Sequence, residues 1–247
     1  KTETSIDRLH IQKAVDSQLI TELEFDRSAK LDTSYTRFQY DIYALETALE
    51  PGDSLKLIFE VDFVTKGFRD GQSNNDIVFN GTFFENSAYF PSLGYNSNVE
   101  LSDDDDRKDQ GLQVKERMLE RDDPNGVTNS LFGDDADKIR FEIIVGTDSG
   151  QIAVAPGYLQ RQWSEGVRSY YHYKMDAPMV NFYSIISADY AVKKDIWQPL
   201  ADSLPEVQLE IYYHPGHEYN LDLMMRGMKH SLTYYSKNFS PYQFRQL

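Results

Sequence analysis

His214-Pro215-Gly216-His217-Glu218-Tyr219-Asn220, then Leu221 to Asn238, then Phe239-Ser240-Pro241-Tyr242, is the stretch on which the reading of this chain turns. Apolar residues at Leu221, Met224, Met225, Met228, Leu232 and Tyr235 keep the spacing of one face of an α-helix. Asn220 is placed to cap its start and Asn238 to take left-handed backbone at its end, while Pro241 forbids continuation. Ahead of it, Pro215-Gly216 closes a turn after the strand-length run Val207–Tyr213. The spacing predicts a strand end, a tight turn and one long helix from about Asn220 to Asn238. Almost nothing before Asn220 keeps that period.

Working outward, the signal becomes period two. Leu55, Leu57, Phe59, Val61 and Phe63 alternate with Lys56, Glu60 and Asp62, and Phe38, Tyr40, Ile42 and Ala44 alternate with polar residues, with Pro51-Gly52-Asp53 as the turn between the two runs. Further strands are predicted at Ile77 to Phe84, Ile139 to Thr147, Gln151 to Ala155, Ser169 to Met175, Val180 to Ser187 and Val207 to Tyr213. Lys1 to Ala29 has weak periodicity and is expected to be an irregular lead-in or one edge strand. Ser102 and the aspartates after it, leading into Arg107 to Met118, predict a capped short helix with acid at its positive end, weakened by Gly111; Asp122 to Asp137 is a polar loop. Short strands at close intervals with one long helix predict a mainly β protein, an antiparallel β-sandwich of about a dozen strands. The division expected is 1–213 for the sandwich and 214–247 for the turn and helix, leading into a domain the chain does not contain.

Composition narrows the function classes. The 247 residues suffice for a full core, and 40% hydrophobic with 13% aromatic residues is a globular composition. A formal charge of −15 argues against nucleic acid and anionic lipid as partners. With no cysteine there is neither a disulfide nor thiol chemistry, and the compartment stays open. No apolar run reaches the roughly 20 residues of a membrane helix, so direct membrane insertion by this segment is not expected. Lys1 in place of an initiator Met, and Leu247 falling just past a helix, are expected of a processed or excised piece.

The stretch from His214 to Tyr242 resembles the junction between the N-terminal β domain and the zinc domain of aminopeptidase N-like metallopeptidases. There a strand ends in a Pro turn and a helix closes on an aromatic, Gly/Ser, Pro, Tyr sequence, here Phe239-Ser240-Pro241-Tyr242. Tyr173 to Met179, Asn181-Phe182-Tyr183-Ser184 and Ala188-Asp189-Tyr190 resemble the family's strand pair, and Asn80-Gly81-Thr82 through Phe90-Pro91 its strand facing the active site. Phe90-Pro91-Ser92-Leu93-Gly94-Tyr95, Ala155-Pro156-Gly157-Tyr158-Leu159 and His214 to Asn220 are similar to a bacterial subgroup fused behind the membrane segments of an ABC-type transporter permease. The resemblance implies a saddle-like N-terminal domain that scaffolds a catalytic domain of the same polypeptide and lines its peptide-substrate cleft. It implies zinc in the parent enzyme and a place outside a bacterial cytoplasmic membrane in a membrane-anchored parent. The alternative is an extracytoplasmic peptide- or protein-binding module of an ABC-type transporter, with no peptidase activity.

The zinc chemistry itself needs two His one turn apart on a helix, a Glu between them and a further Glu ligand. No H-E-x-x-H occurs; His214 and His217 lie three apart across a Pro-Gly turn. The family's Gly-x-Met-Glu-Asn loop is absent as well, and so is a Gly-x-Ser-x-Gly elbow. No catalytic residue, metal ligand or cofactor is therefore assigned to this chain, which is expected to be inactive alone. Asp103 to Asp106 is a solvated helix start, since a calcium loop alternates its ligands and turns at a Gly. His214, His217 and Glu218 are read as a strand-to-helix corner in which His217 and Asn220 bond backbone. Counting back from Pro91, the resemblance puts Asn80 and Thr82 where aminopeptidases carry Gln with Gln or Glu lining the pocket for the substrate's amino terminus. Both side chains here are shorter and uncharged. Alternate residues of one strand share a face, so one strand would present both.

Overall fold

The computed structural model describes residues 6–12, 20–32, 40–63, 75–94, 100–115, 119–120, 122–124, 138–199 and 204–247. The described residues are mainly β, in antiparallel sheets with one long C-terminal helix. In chain order the elements are β1 (Ile6–Gln12), β2 (Ile20–Phe25), β3 (Ala29–Leu31), β4 (Tyr40–Leu49), β5 (Leu57–Val61), β6 (Ile77–Val78), β7 (Gly81–Glu85), α1 (Asn86–Tyr89), β8 (Ser92–Leu93) and α2 (Asp104–Asp109). Then follow β9 (Lys138–Ile139), β10 (Glu142–Asp148), β11 (Ile152–Val154), β12 (Tyr158–Glu165), β13 (Arg168–Lys174), β14 (Met179–Val180), β15 (Ser184–Ala188), β16 (Ala191–Trp197), β17 (Val207–Tyr213) and α3 (Leu221–Asn238). Two compact units divide these elements.

The first unit comprises Lys1–Lys66, Phe84–Arg140 and Pro178–Ser184. Its four-stranded sheet runs β3-β4-β1-β8, beside the pairs β2-β5 and β14-β9. Of Lys1 to Ala29, expected as an irregular lead-in or one edge strand, the described residues form β1 and β2 and begin β3. The pairing of β1 with β4 shifts register between Ile6 and Arg8, and that of β2 with β5 between Ile20 and Glu22, and such irregularities break a period-two signal. Rings fill this unit: Phe84 stacks on Tyr89 at 4.4 Å, and Phe63 and Phe59 meet Tyr89 and Phe90 edge-on at 5.0 and 5.8 Å. Asn86, buried at the start of α1, is paired on both sides of its amide. Its Oδ1 accepts from Tyr183 N–H at 2.9 Å and its Nδ2 donates to Asn181 O at 3.3 Å.

The short acidic helix forms, with a different cap and end. Asp103, rather than Ser102, accepts from the N–H groups of Asp105 and Asp106, both at 3.0 Å. Gly111, at φ +71°, ends α2 instead of weakening a longer one, as Leu112 N–H reaches back to Arg107 O at 2.8 Å. The polar loop expected at 122–137 lies almost wholly outside the described residues, as do Phe38 and Tyr95.

The second unit comprises Gly67–Phe83, Phe141–Ala177 and Ile185–Leu247. It holds the sheet β10-β13-β12, the hairpin β16-β17 and the sheet β11-β15-β7-β6, whose β7 runs on past Phe83. Alternate tyrosines of β13 join two of these sheets: the hydroxyls of Tyr171 and Tyr173 donate to Gln151 O and Ala153 O, each at 2.9 Å. On the other face Tyr170 covers Gly146, where a Cβ would stand 2.8 Å from the ring, and stacks on Trp163 at 5.2 Å. The main core lies between the β16-β17 hairpin and α3. Val207, Leu209 and Ile211 of β17 and Trp197 of β16 bury against Leu221, Met225 and Leu232.

Candidate functional site

The residues expected to face a substrate sit in the β6-β7 hairpin, where Ile77 pairs with Thr82 and Val78 with Gly81. Asn80 is not a strand residue. With Phe79 it forms the two-residue turn and is exposed, while Thr82 lies half-buried within β7. The shared strand face supposed for Asn80 and Thr82 is therefore not formed: one is at the tip of the hairpin and the other inside it. Gly81 matters for packing, because a Cβ there would stand 3.0 Å from Ser187 O and 3.1 Å from Ala188 Cβ of the adjoining β15. Phe79, which the sequence reading passed over, projects from the tip with 98% of its surface exposed, beside the exposed Val78 and Phe83.

The corner before α3 is built by its own sequence. His217 N–H donates to His214 O at 3.0 Å across Pro215 and Gly216, and Gly216 has φ +90°, as a Pro-Gly turn requires. Glu218 Oε1 accepts from Gly216 N–H at 2.9 Å, and that backbone hydrogen bond holds its carboxyl below the ordinary value. The imidazoles of His214 and His217 lie 5.5 Å apart, with His214 Nδ1 against Pro215 O at 2.8 Å. Asn220 takes left-handed backbone, φ 65°, and makes no side-chain cap, whereas Asn238 stays in the helix and donates to Tyr234 O at 2.7 Å. The two asparagines thus exchange the roles expected of them. Among the described residues no three His, Asp or Glu side chains gather as a metal site. Glu218 is spent on backbone, so this corner does not fit zinc.

Helix α3 buries one side of its predicted stripe and leaves the other open. Leu221, Met225 and Leu232 are buried and Met228 is half-buried, while Met224 and Tyr235 are exposed and Phe239 is 74% exposed. Beyond the helix, Tyr242, Phe244 and Leu247 join Met228, Leu232, Tyr235 and Phe239 around a groove of about 720 Å³. Burial, and then Tyr158, push the Tyr242 phenol up from its ordinary value. The alternating aromatics after Pro241 were the sequence signal for this second wall.

No protein-family model matches the sequence, and no curated protein matches it. Solved structures do match in fold. The M1 zinc metallopeptidase of Deinococcus radiodurans aligns over 99% of this chain at 12% identity with a TM-score of 0.56, and a mutant of that enzyme bound to a Tyr-Ser-Ala substrate aligns equally. Aminopeptidase A of Legionella pneumophila, in complex with aspartic acid, aligns over 97% at 11% identity with a TM-score of 0.57. This chain spans 48% of the Deinococcus chains and 24% of the Legionella chain. The likeness is one of fold: the chain has the fold of an N-terminal domain of M1 peptidases.

Proposed function

We propose that this chain is the non-catalytic N-terminal β domain, with its connecting helix, of an aminopeptidase N-like zinc metallopeptidase. The observation that carries the proposal is the fold match over 97–99% of this chain and only a quarter to a half of its neighbours. The domain scaffolds a catalytic domain of the same polypeptide and walls one side of its peptide cleft. The half-exposed stripe of α3 and its groove are the docking face for that domain, since an apolar patch of this kind marks an interaction surface. Zinc belongs to the absent domain, where it would supply a polarised water; the described residues here hold no cradle for it. The parent carries H-E-x-x-H and a following Glu, and hydrolyses aminoacyl substrates with bound zinc. A parent that lacks that motif and neither binds zinc nor cleaves such substrates would refute this reading.

The motifs at Phe90–Tyr95, Ala155–Leu159 and His214–Asn220 favour a parent anchored in a bacterial cytoplasmic membrane with this domain outside, fused to an ABC-type permease. Short, uncharged Asn80 and Thr82, where the family carries Gln and Glu, favour the second reading, a peptide- or protein-binding module of a transporter without peptidase activity. Binding of a peptide by a parent without the zinc motif would select it.

A further inference from the structure

After Pro241 the chain turns back along β17. Gln208 N–H donates to Arg245 O, Leu247 N–H to Gln208 O and Glu210 N–H to Leu247 O, each at 2.9 Å, and the Gln208–Gln246 bridge is parallel. Side chains fasten the same segment to the ends of β12 and β13. Gln246 Nε2 donates to Gly157 O at 2.7 Å, and the Arg245 guanidinium lies 3.8 Å from the centre of the Tyr158 ring and 3.5 Å from Asp176. The Tyr242 hydroxyl closes the loop by donating to Gln246 O at 3.0 Å.

We propose that Gln243–Leu247 is a strap, a detachable edge strand hinged at Tyr242 that fills in cis a strand-addition site on the side of β17 turned away from β16. Tyr242 packs against the core cluster of β17 and α3, whereas residues 243–247 beyond it are exposed. Alternate residues of a strand direct their backbone groups to opposite edges, so Gln208 and Glu210 serve the strap while Val207, Leu209 and Ile211 serve β16. The strap's holding groups, Arg245 and Gln246, are exposed and polar, whereas the β17 side chains under α3 are buried. Such an element opens at lower free energy than the core it lies on. Opened, it bares a row of N–H and C=O groups on β17 and removes Phe244 and Leu247 from the groove beside Met228 and Tyr235. That free edge takes an extended peptide by strand addition, while the groove remains the face proposed for the catalytic domain.

Amide hydrogen exchange on the 247-residue chain tests the strap, compared with the Arg245→Ala/Gln246→Ala variant. The amides of Gln208 and Glu210 are expected to exchange at least about tenfold faster in the variant, while Leu209 and Ile211 keep their protection. The single variant Gln246→Ala should give an intermediate acceleration at the same two amides. A synthetic peptide of residues 241–247 should restore their protection when added to a chain ending at Gln243. Equal exchange at Gln208 and Glu210 in the unaltered chain and the double variant overturns the proposal. Loss of protection at Leu209 and Ile211 together with them also overturns it, because the tail would then be part of the core.

Discussion

Gly157 and Gly150 share a positive φ, +97° and +95°, but not their surroundings. Nothing lies within 4 Å of where a Cβ would stand at Gly150, so Gly150→Ala should cost about 1–2 kcal/mol, the left-handed penalty alone. At Gly157 the same atom would stand 2.5 Å from the Lys174 carbonyl carbon, main chain that cannot swing away. Gly157→Ala should therefore lose a further 1–3 kcal/mol or so of overpacking. Urea denaturation of the pair checks this, and equal losses would show that the contact yields. Tyr173 makes a different prediction. Burial, with Glu210 and Tyr171 adding, pushes its phenol up from 10.0 to about 12. A folded value above the unfolded one means that its contribution is whole below pH 10 and drains away as pH rises from 10 to 12. Tyr173→Phe should move the alkaline unfolding midpoint upward, although at neutral pH it forfeits about 1 kcal/mol with the bond to Ala153 O.

Helix α3 is seated on β16 by alternate residues of that strand. Lys193 pairs with Asp222, Asp195 with Lys229 at 2.7 Å, and Trp197 Nε1 donates to Thr233 Oγ1 at 3.0 Å. Hydrogen bonds from Lys193 and Lys229 hold Asp222 and Asp195 below the ordinary value of 3.8. Depressed carboxylates stabilise above their unfolded value, so the ion pairs weaken as pH falls from about 5 toward 2. Asp195→Asn with Asp222→Asn should flatten that acid slope in denaturation midpoints, and high salt should weaken the same pairs at pH 7. An unchanged slope would mean that other carboxylates set it. Trp197→Ala, which empties the core end of the seat, should cost about 3–5 kcal/mol by denaturant unfolding. This seat also explains what the sequence concealed. The face of β16 turned to α3 carries Lys193, Asp195 and Trp197, of which Trp197 is buried and Asp195 exposed, and Ile196 on the other face is exposed too, so hydrophobic alternation fails there. The register shift between Leu159 and Arg161 hides β12 in the same way. The stripe of α3 and the alternation of β17 were legible because their burial is plainly apolar. The spacing of Asn80 and Thr82 misled because a Phe in the turn resembles strand.

At the scale of the whole chain, fold and chemistry separate. The antiparallel β class and the terminal helix follow from periodicity, and solved zinc metallopeptidases share the fold at 11–12% identity, too low to carry residue roles across. The five histidines do not have the spacing that an H-E-x-x-H zinc site demands. The isolated chain should hold no stoichiometric zinc after dialysis and hydrolyse no aminoacyl substrate. Elemental analysis and a chromogenic assay check both. One zinc per chain, lost on His214→Ala or His217→Ala, would overturn the reading of the corner before α3.

The seating of α3 carries a consequence for how this region can vary in length. Contacts at 193, 195 and 197 step along the strand at ~6.7 Å per pair of residues, while 222, 229 and 233 climb the helix at ~1.5 Å per residue in the same direction. The two ladders stay in phase only for this count. One residue inserted between Asp222 and Lys229 turns everything beyond it by roughly 100° and shifts it by roughly 1.5 Å, swinging Lys229 and Thr233 off their partners together. Single insertions inside this helix should be forbidden even where every individual side chain tolerates substitution.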